Sequence, residues 1–332
     1  MYEPARRRWA DEARDFPKNA RFVPFYEEGK YDLAVLHVDG ECADPEGKKG
    51  ELYKKLNDLI QDIPKIVINH GTPWIPERFT KYVKGLPEEK RLEAGKDFCV
   101  REMKKIIGDN TMVVNAEQAA KDWGWGTPII HGMYGNPLEE YFDLPKEMIV
   151  TLFMSPAGWD YYYNRRVAND IFSMLDDNGI KMEQPRSNIT ISGFQKYREY
   201  VGKVLIGVFP MRTSPMPRAR TEFMLSGGCA ISGNNYDIGK YFTGLEFKKT
   251  EVGQFITTEA GELIPENLEE AEILYADIEN AKDFFAKIMY LYRNPDIAMQ
   301  IGQRGKLKAQ EHFTQERYQA DWHKLLTKVG VL

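Results

Sequence analysis

The chain carries only three cysteines in 332 residues, Cys42, Cys99 and Cys229. They are too few and too scattered for a disulfide framework or a structural zinc site, so a reducing cytoplasm is the expected setting. No apolar run approaches the roughly 20 residues that cross a bilayer. The opening stretch MYEPARRRWADEARDF has charge without an apolar core and does not read as a secretory signal. Its Arg6-Arg7-Arg8 is shorter than a usual polybasic lipid-binding cluster. It reads first as a solvated helix face, with peripheral contact to anionic lipid as the alternative. Basic excess is also missing: 45 Lys and Arg stand against 50 Asp and Glu, which argues against a nucleic-acid partner. There is no G-x-x-x-x-G-K-[ST] loop, no G-x-S-x-G elbow and no H-E-x-x-H helix. Asp176-Asp177 is half of a metal-binding Asp-x-Asp pair, but Asn178-Gly179 follows and makes it a turn. No metal site is expected.

What is present points to two α/β units. The length suits one large domain or two ordinary ones. Strands are expected at Tyr31–Val38, Lys65–Asn69, Thr111–Asn115 and Pro128–His131. Helices are expected at Leu52–Ile63, Asp97–Ile107 and Ala116–Trp123, with residues 74–95 as loop or short helices. A second set follows, with strands at Met148–Met154 and Ser187–Ile191 and helices at Val167–Asp176 and Phe194–Tyr200. The most informative stretch is 201–232, VGKVLIGVFPMRTSPMPRARTEFMLSGGCAIS. An apolar run ends at Pro210, a proline-bearing loop leads to a helix opening at Pro217–Arg218, and Gly227-Gly228 stops it before Cys229–Ile231. Strand, loop, helix, glycine stop and strand make the repeating unit of a parallel sheet, and ligands of such sheets sit beyond the carboxyl ends of the strands. Glu222, early in that helix, can accept hydrogen bonds from both hydroxyls of a ribose, each worth about 1.5–3 kcal/mol when charged. The plainer reading of its spacing is a solvated helix glutamate or an ion pair with Arg218.

This segment resembles the donor-site motif of GT-B glycosyltransferases of the family 4 type. In that motif a strand ending in Pro leads to a Glu-Ala-Met-Ala-x-Gly-like helix start, here Glu222-Phe223-Met224-Leu225-Ser226-Gly227. Three further stretches are similar to the family in the same order. They are KIVINHGTP at 65–73, MVVNAEQAAKDWGWGTPIIHGM at 112–133, and the closing region 284–323 with its Asn294-Pro295-Asp296 break. The resemblance implies an α/β GT-B architecture: two Rossmann-like domains whose parallel sheets face a central cleft. Its expected parts are residues 1–147 on the acceptor side, 148–315 on the nucleotide-sugar side, and a last helix, 316–332, crossing back to the first domain. The family usually opens with a further strand, a glycine-rich turn and a helix; the 28 residues before Gly29 contain no glycine, so an abbreviated first sheet is expected.

The same resemblance implies a retaining, metal-independent transfer from a nucleotide-sugar, UDP- or GDP-linked, with no other cofactor, to an acceptor hydroxyl that the sequence does not identify. It assigns ribose binding to Glu222 and the diphosphate to Arg165, with Arg166 and Arg218 beside it. A small-residue turn at Ser155 and Gly158 admits phosphate, and Gly227 allows close packing. His70 faces the acceptor as base or orienting group, with Asp39 and His131 on the same side. The family's second glutamate falls at Ser214, a departure at the position that normally contacts the donor sugar. Two alternatives follow: a catalytically silent subunit that binds nucleotide or glycan, and a sugar-nucleotide epimerase or hydrolase. Tyr161-Tyr162-Tyr163 and Trp123/Trp125 are candidates for stacking on sugar rings, against the commoner role of core packing.

Overall fold

The structure is a computed structural model that describes residues 18–21, 23, 25–73, 77–136, 141–154, 164–184, 193–212, 214 and 216–332. In chain order, β1 (Ala34–Asp39), α1 (Lys48–Leu59), β2 (Lys65–His70), α2 (Glu77–Thr80), α3 (Glu88–Ile107), β3 (Thr111–Val114), α4 (Glu117–Trp123) and β4 (Thr127–Pro128) form the first unit. The second holds β5 (Glu147–Leu152), α5 (Arg165–Asp177), β6 (Met182–Glu183), α6 (Phe194–Lys203), β7 (Val204–Phe209), α7 (Arg218–Leu225), β8 (Cys229–Gly233) and β9 (Leu274–Ala276). Three helices close the chain: α8 (Ala281–Arg293), α9 (Pro295–His312) and α10 (Gln315–Lys328).

Both sheets are parallel throughout, one ordered β1-β2-β3-β4 and the other β6-β5-β7-β8-β9. Parallel strands need covering on both faces. In the first sheet Leu36, Val38, Val67, Met112 and Val114 pack on α1, α3 and α4, while Ile66, Val113 and Ile129 on the opposite face pack on α10. In the second, α5 and α8 cover one face and α6 and α7 the other. The all-apolar run Val204–Phe209 is buried at every position because β7 is an interior strand with helices on both sides.

Local chemistry explains the ends of these elements. Asn280 caps α8 by accepting from the amides of Lys282 and Asp283. Pro295 opens α9 at a position that needs no amide hydrogen, and Thr314 caps α10 at Arg317. Buried Lys146 donates to the carbonyls of Gly202 and Ser226, tying the last turns of α6 and α7 together. The structure places the strand expected at Pro128–His131 at Thr127–Pro128, and it begins α3 at Glu88 rather than Asp97. Its first turns, EEKRLEAGK, are mostly solvent-facing, so they show no apolar periodicity from which a helix can be read. The expected strand at residues 187–191, the triple tyrosine at 161–163 and the triple arginine at 6–8 lie outside the described residues.

The chain's end returns to the first sheet at one seam. The carbonyl of Phe313 accepts from the amides of Met133 and Tyr134 at 2.7 and 2.9 Å, and the amide of Gln315 donates to the Tyr134 carbonyl at 2.8 Å. Gly132 makes the seam possible: a Cβ there meets the Thr314 carbonyl oxygen at 2.5 Å and Cβ of Tyr318 at 2.3 Å. Gly132→Ala is therefore expected to lower stability by about 1–3 kcal/mol, as overpacking against backbone does. Thermal denaturation checks this, and an unchanged melting temperature overturns the seam as a rigid contact.

Candidate active site

The second sheet reverses direction at β5, which has β6 on one side and β7 on the other. The crevice for a ligand in such a sheet opens beyond the carboxyl ends of the strands at that reversal, here between Phe153 and Pro210. Helix α7 is seated beside it by Phe223. This ring fills the space that a Cβ on Gly207 or Gly228 would need, with closest approaches of 2.6 and 2.1 Å. It also tilts against Phe153 and Phe209 with centroids 5.2 and 5.7 Å away. That docking fixes the rotation of α7, and the rotation decides where its neighbour Glu222 goes.

Glu222 is 5% exposed. Its Oε1 accepts from Arg218 Nε at 3.2 Å and its Oε2 from the Tyr197 hydroxyl at 3.5 Å. The pairing read from spacing is thus present, and it does not close the site, because the Arg218 side chain is 42% exposed. Two positions before Glu222, Arg220 is buried. It donates to Ser232 Oγ at 2.9 Å and to Met216 Sδ at 3.5 Å, and among the described residues no carboxylate pairs with it. Burial lowers its pKa to about 10, so it remains a cation at neutral pH.

The other arginines gather on the same side of the sheet. Arg212 donates to Glu279 through Nε and Nη2 at 2.7 and 2.9 Å, and Nη2 also reaches Asn164 Oδ1 at 2.9 Å. Asn164 has the left-handed φ of 53° that places it at the start of α5. Arg166 lies 3.8 Å from Glu279, and Arg165 is exposed in the first turn of α5. Ser214 is half-buried in the loop before α7, and no partner of its side chain occurs among the described residues. Ser155 and Gly158 fall outside the described residues. Gly227 does not join the cluster: it stops α7 at the helix end opposite Arg218, with a φ of 77°.

On the first sheet, His131 reaches α7 rather than His70. Its Nε2 lies 3.0 Å from Thr221 Oγ1 and its ring stacks on Phe313 at 5.4 Å. Burial, followed by the charges of Arg218, Arg220 and Arg317, lowers its pKa to about 3, so the ring is neutral. Asp39 is engaged structurally: Oδ1 accepts from the Glu41 amide at 3.0 Å and Oδ2 from Lys49 Nζ at 2.6 Å. His70 ends β2, two strands from β4, or about 10 Å at the usual strand spacing. It has an unforeseen neighbour, His37, whose Nδ1 lies 2.9 Å from His70 Nε2. The period-two alternation of His37 and Asp39 along β1 was visible in the sequence; the parallel register that brings β2 alongside was not. Trp123 is buried and donates to the Gly71 carbonyl, and Trp125 packs edge-on against it.

The chain is similar in structure to solved proteins. Sucrose-phosphate synthase (tll1590) from Thermosynechococcus elongatus is similar over 89% of this chain and 73% of its own, with a TM-score of 0.52 and 13% identity. TarM of S. aureus is similar over 89% of this chain and 54% of its own, with a TM-score of 0.54 and 12% identity. The fold is GT-B. Anabaena Alr3699/HepE, solved in complex with UDP and glucose, is similar over 90% of this chain and 78% of its own, with a TM-score of 0.55 and 10% identity. The chain thus spans about half the length of TarM and about three quarters of the other two. At these identities the likeness is one of architecture. No family model and no curated protein sequence matches the chain.

The buried neutral state of His131 carries a prediction. The unfolded chain takes up this proton near pH 6.5 and the folded one only near pH 3. The unfolded state therefore binds more protons across that window, and this contribution to stability is full above about pH 6.5 and declines as pH falls towards 3. His131→Asn removes the titrating group, so its melting temperature should fall less steeply over that window than the wild type's. Parallel slopes in circular-dichroism melts overturn the assignment.

Proposed function

We propose that the protein is a glycosyltransferase that takes its sugar from a nucleotide-activated donor. The observation that carries this reading is Glu222: a buried carboxylate on the helix that follows β7. Its two oxygens suit the paired hydroxyls of a ribose, with Arg218 and Tyr197 holding it in place. A departing nucleoside diphosphate needs positive charge, which Arg165, Arg166, Arg218 and the N-terminus of α7 offer without a metal ion. The first sheet then presents the acceptor hydroxyl, with His70 as the orienting group, and the transfer proceeds with retention. Anabaena HepE is solved with UDP-glucose, and S. aureus TarM is solved with UDP. That supports a UDP-linked sugar as the first donor to test, with a GDP-linked one next. The three cysteines are free and buried, in keeping with a reducing cytoplasm, and no helix among the described residues is long and apolar enough to cross a membrane.

Ser214 favours a second reading, because an uncharged side chain stands where the family motif has its sugar-contacting acid. On that reading the protein binds a nucleotide or glycan without transferring sugar, or turns over a sugar nucleotide without an acceptor. A thermal-shift panel of UDP, GDP, ADP, TDP and CDP, with and without magnesium, separates these. At 100 times its dissociation constant a ligand adds about 2.7 kcal/mol, enough to raise the melting temperature by several degrees. UDP or GDP is expected to stabilise the wild type regardless of magnesium. Glu222→Ala should weaken that binding roughly 10- to 100-fold, the equivalent of losing one or two charged hydrogen bonds. If no nucleotide stabilises the protein, the donor-site reading is wrong. Stabilisation without release of sugar from any matching donor favours the silent subunit, and release without an acceptor favours the hydrolase.

A further inference from the structure

An edge strand presents unpaired amides and carbonyls to any other strand, so natural sheets keep their edges short, kinked, charged or covered. Among the described residues, three of the four sheet edges follow that rule. β4 is two residues long and ends on Pro128, and β6 is two residues long. β9 is three residues long, and Ile273 just before it is already bridged by Gly244 and Leu245. β1 does not follow the rule. It runs for six residues, AVLHVD, without proline or lysine, in unbroken register on β2, and its one charged residue stands at the far end. The Ala34 amide donates to the Pro64 carbonyl, so by strand alternation the amides of Leu36 and Val38 also turn towards β2. Those of Val35 and His37 turn outward, where no strand among the described residues pairs with them. Val35 is 42% exposed.

Helix α1 extends this open edge into an apolar surface. Its inner side is fixed by α3 and the turn that follows α3. A Cβ on Gly50 meets Ile106 Cδ1 at 3.7 Å, and the Asn110 amide donates to the Tyr53 hydroxyl and to Asn57 Oδ1 at 3.1 and 2.8 Å. At about 100° per residue, Leu52, Leu56 and Leu59 then fall on the flank turned away from α3. That is the flank on the β1 side of the sheet. Leu52 and Leu59 are 42% and 54% exposed. A hollow of about 260 Å³, walled in part by Leu36, Val38, Leu52 and Leu56, lies between this stripe and β1.

We propose that the protein is a homodimer in which β1 and α1 of two chains meet across a two-fold axis, joining two four-stranded sheets into one. The outward backbone groups call for another unguarded strand edge, and the leucines call for another apolar stripe beside it. A second copy of this chain presents both, at the same spacing. A two-fold perpendicular to the sheet sets β1 antiparallel to its copy and keeps both α1 helices on one face, antiparallel, with the leucines between them. The basic start of each α1, at Lys48, then lies beside the acidic exit of the other, at Asp58 and Asp62. Opposed helix dipoles add to that attraction. Such a contact is isologous and covers its own edge, so assembly stops at two chains. The proposal is independent of the glycosyltransferase reading.

Sedimentation equilibrium of the full chain at micromolar concentration tests it, and the wild type is expected at twice the mass of one chain. Leu52→Lys combined with Leu59→Lys alters two exposed side chains and spares the core. It should weaken the dimer roughly 100-fold, by setting charge into a dry contact. Val35→Pro removes an outward amide while leaving the bonds to β2, as an edge strand tolerates, and should also yield monomers. Circular dichroism is expected to show wild-type helix content in both variants. In hydrogen exchange, the Val35 and His37 amides should be protected in the wild type and exchange rapidly in the leucine variant. A monomeric wild type, dimers that persist in both variants, species that grow past two chains, or a dimer with those two amides unprotected overturns the proposal.

Discussion

The arrangement of the cleft depends on how the end of the chain is seated. After α9 leaves the second unit, Phe313 stacks beside His131 and sits between Tyr241 and Phe242. Arg317 then donates to the carbonyls of Ile130 and His131, and α10 covers the outer face of the first sheet. One short stretch thereby joins the end of β4, the loop after β8 and the last helix. His131 in turn holds Thr221, one residue before Glu222. The position of the candidate ribose-binding carboxylate relative to the first sheet is set through this chain of contacts. Ion pairs add to it at the rim, Lys240 with Glu117 and Lys306 with Asp143; exposed pairs of that kind contribute about 0–1 kcal/mol each, so the buried seam carries the weight.

Electrostatics divides the cleft into unlike halves. The α7 side concentrates guanidinium groups: Arg218 is held by Glu222, Arg212 by Glu279, and Arg220 is buried with no carboxylate beside it among the described residues. Such a surface favours anions, and burial, with the same positive field adding to it, keeps His131 neutral. On the first sheet the charges of Lys49, Asp39 and Glu41 balance one another around two uncharged imidazoles and an apolar wall. Burial lowers the pKa of both His37 and His70, and for His37 the neighbouring ring adds to the effect.

Much of this was legible from residues alone. The strand–loop–helix–glycine order of 201–232 is local, and each part is marked by a residue with one physical consequence: Pro210 and Pro217 at the loop, Gly227 at the helix stop. The Asn294-Pro295 break between α8 and α9 was equally plain, because proline opens a helix but does not continue one. The first half of α3 was not legible, since a mostly solvent-facing helix turn has no apolar stripe. The partners of the arginines were not legible either. Arg212, Arg166 and Glu279 meet only because α5 begins on the side of the sheet where β7 and β9 end.

The sequence by itself determined the element types, the parallel α/β class and the helix on which Glu222 stands, because these follow from periodicity, proline and glycine within a few residues. Only the tertiary structure decided that His131 serves the α7 side, that Arg220 is buried, and that His37 stands against His70. Those facts depend on strand order and register, which join residues 33 positions apart in one case and 90 in another. No local propensity encodes such contacts; they arise when two sheets and a returning helix are packed as one body.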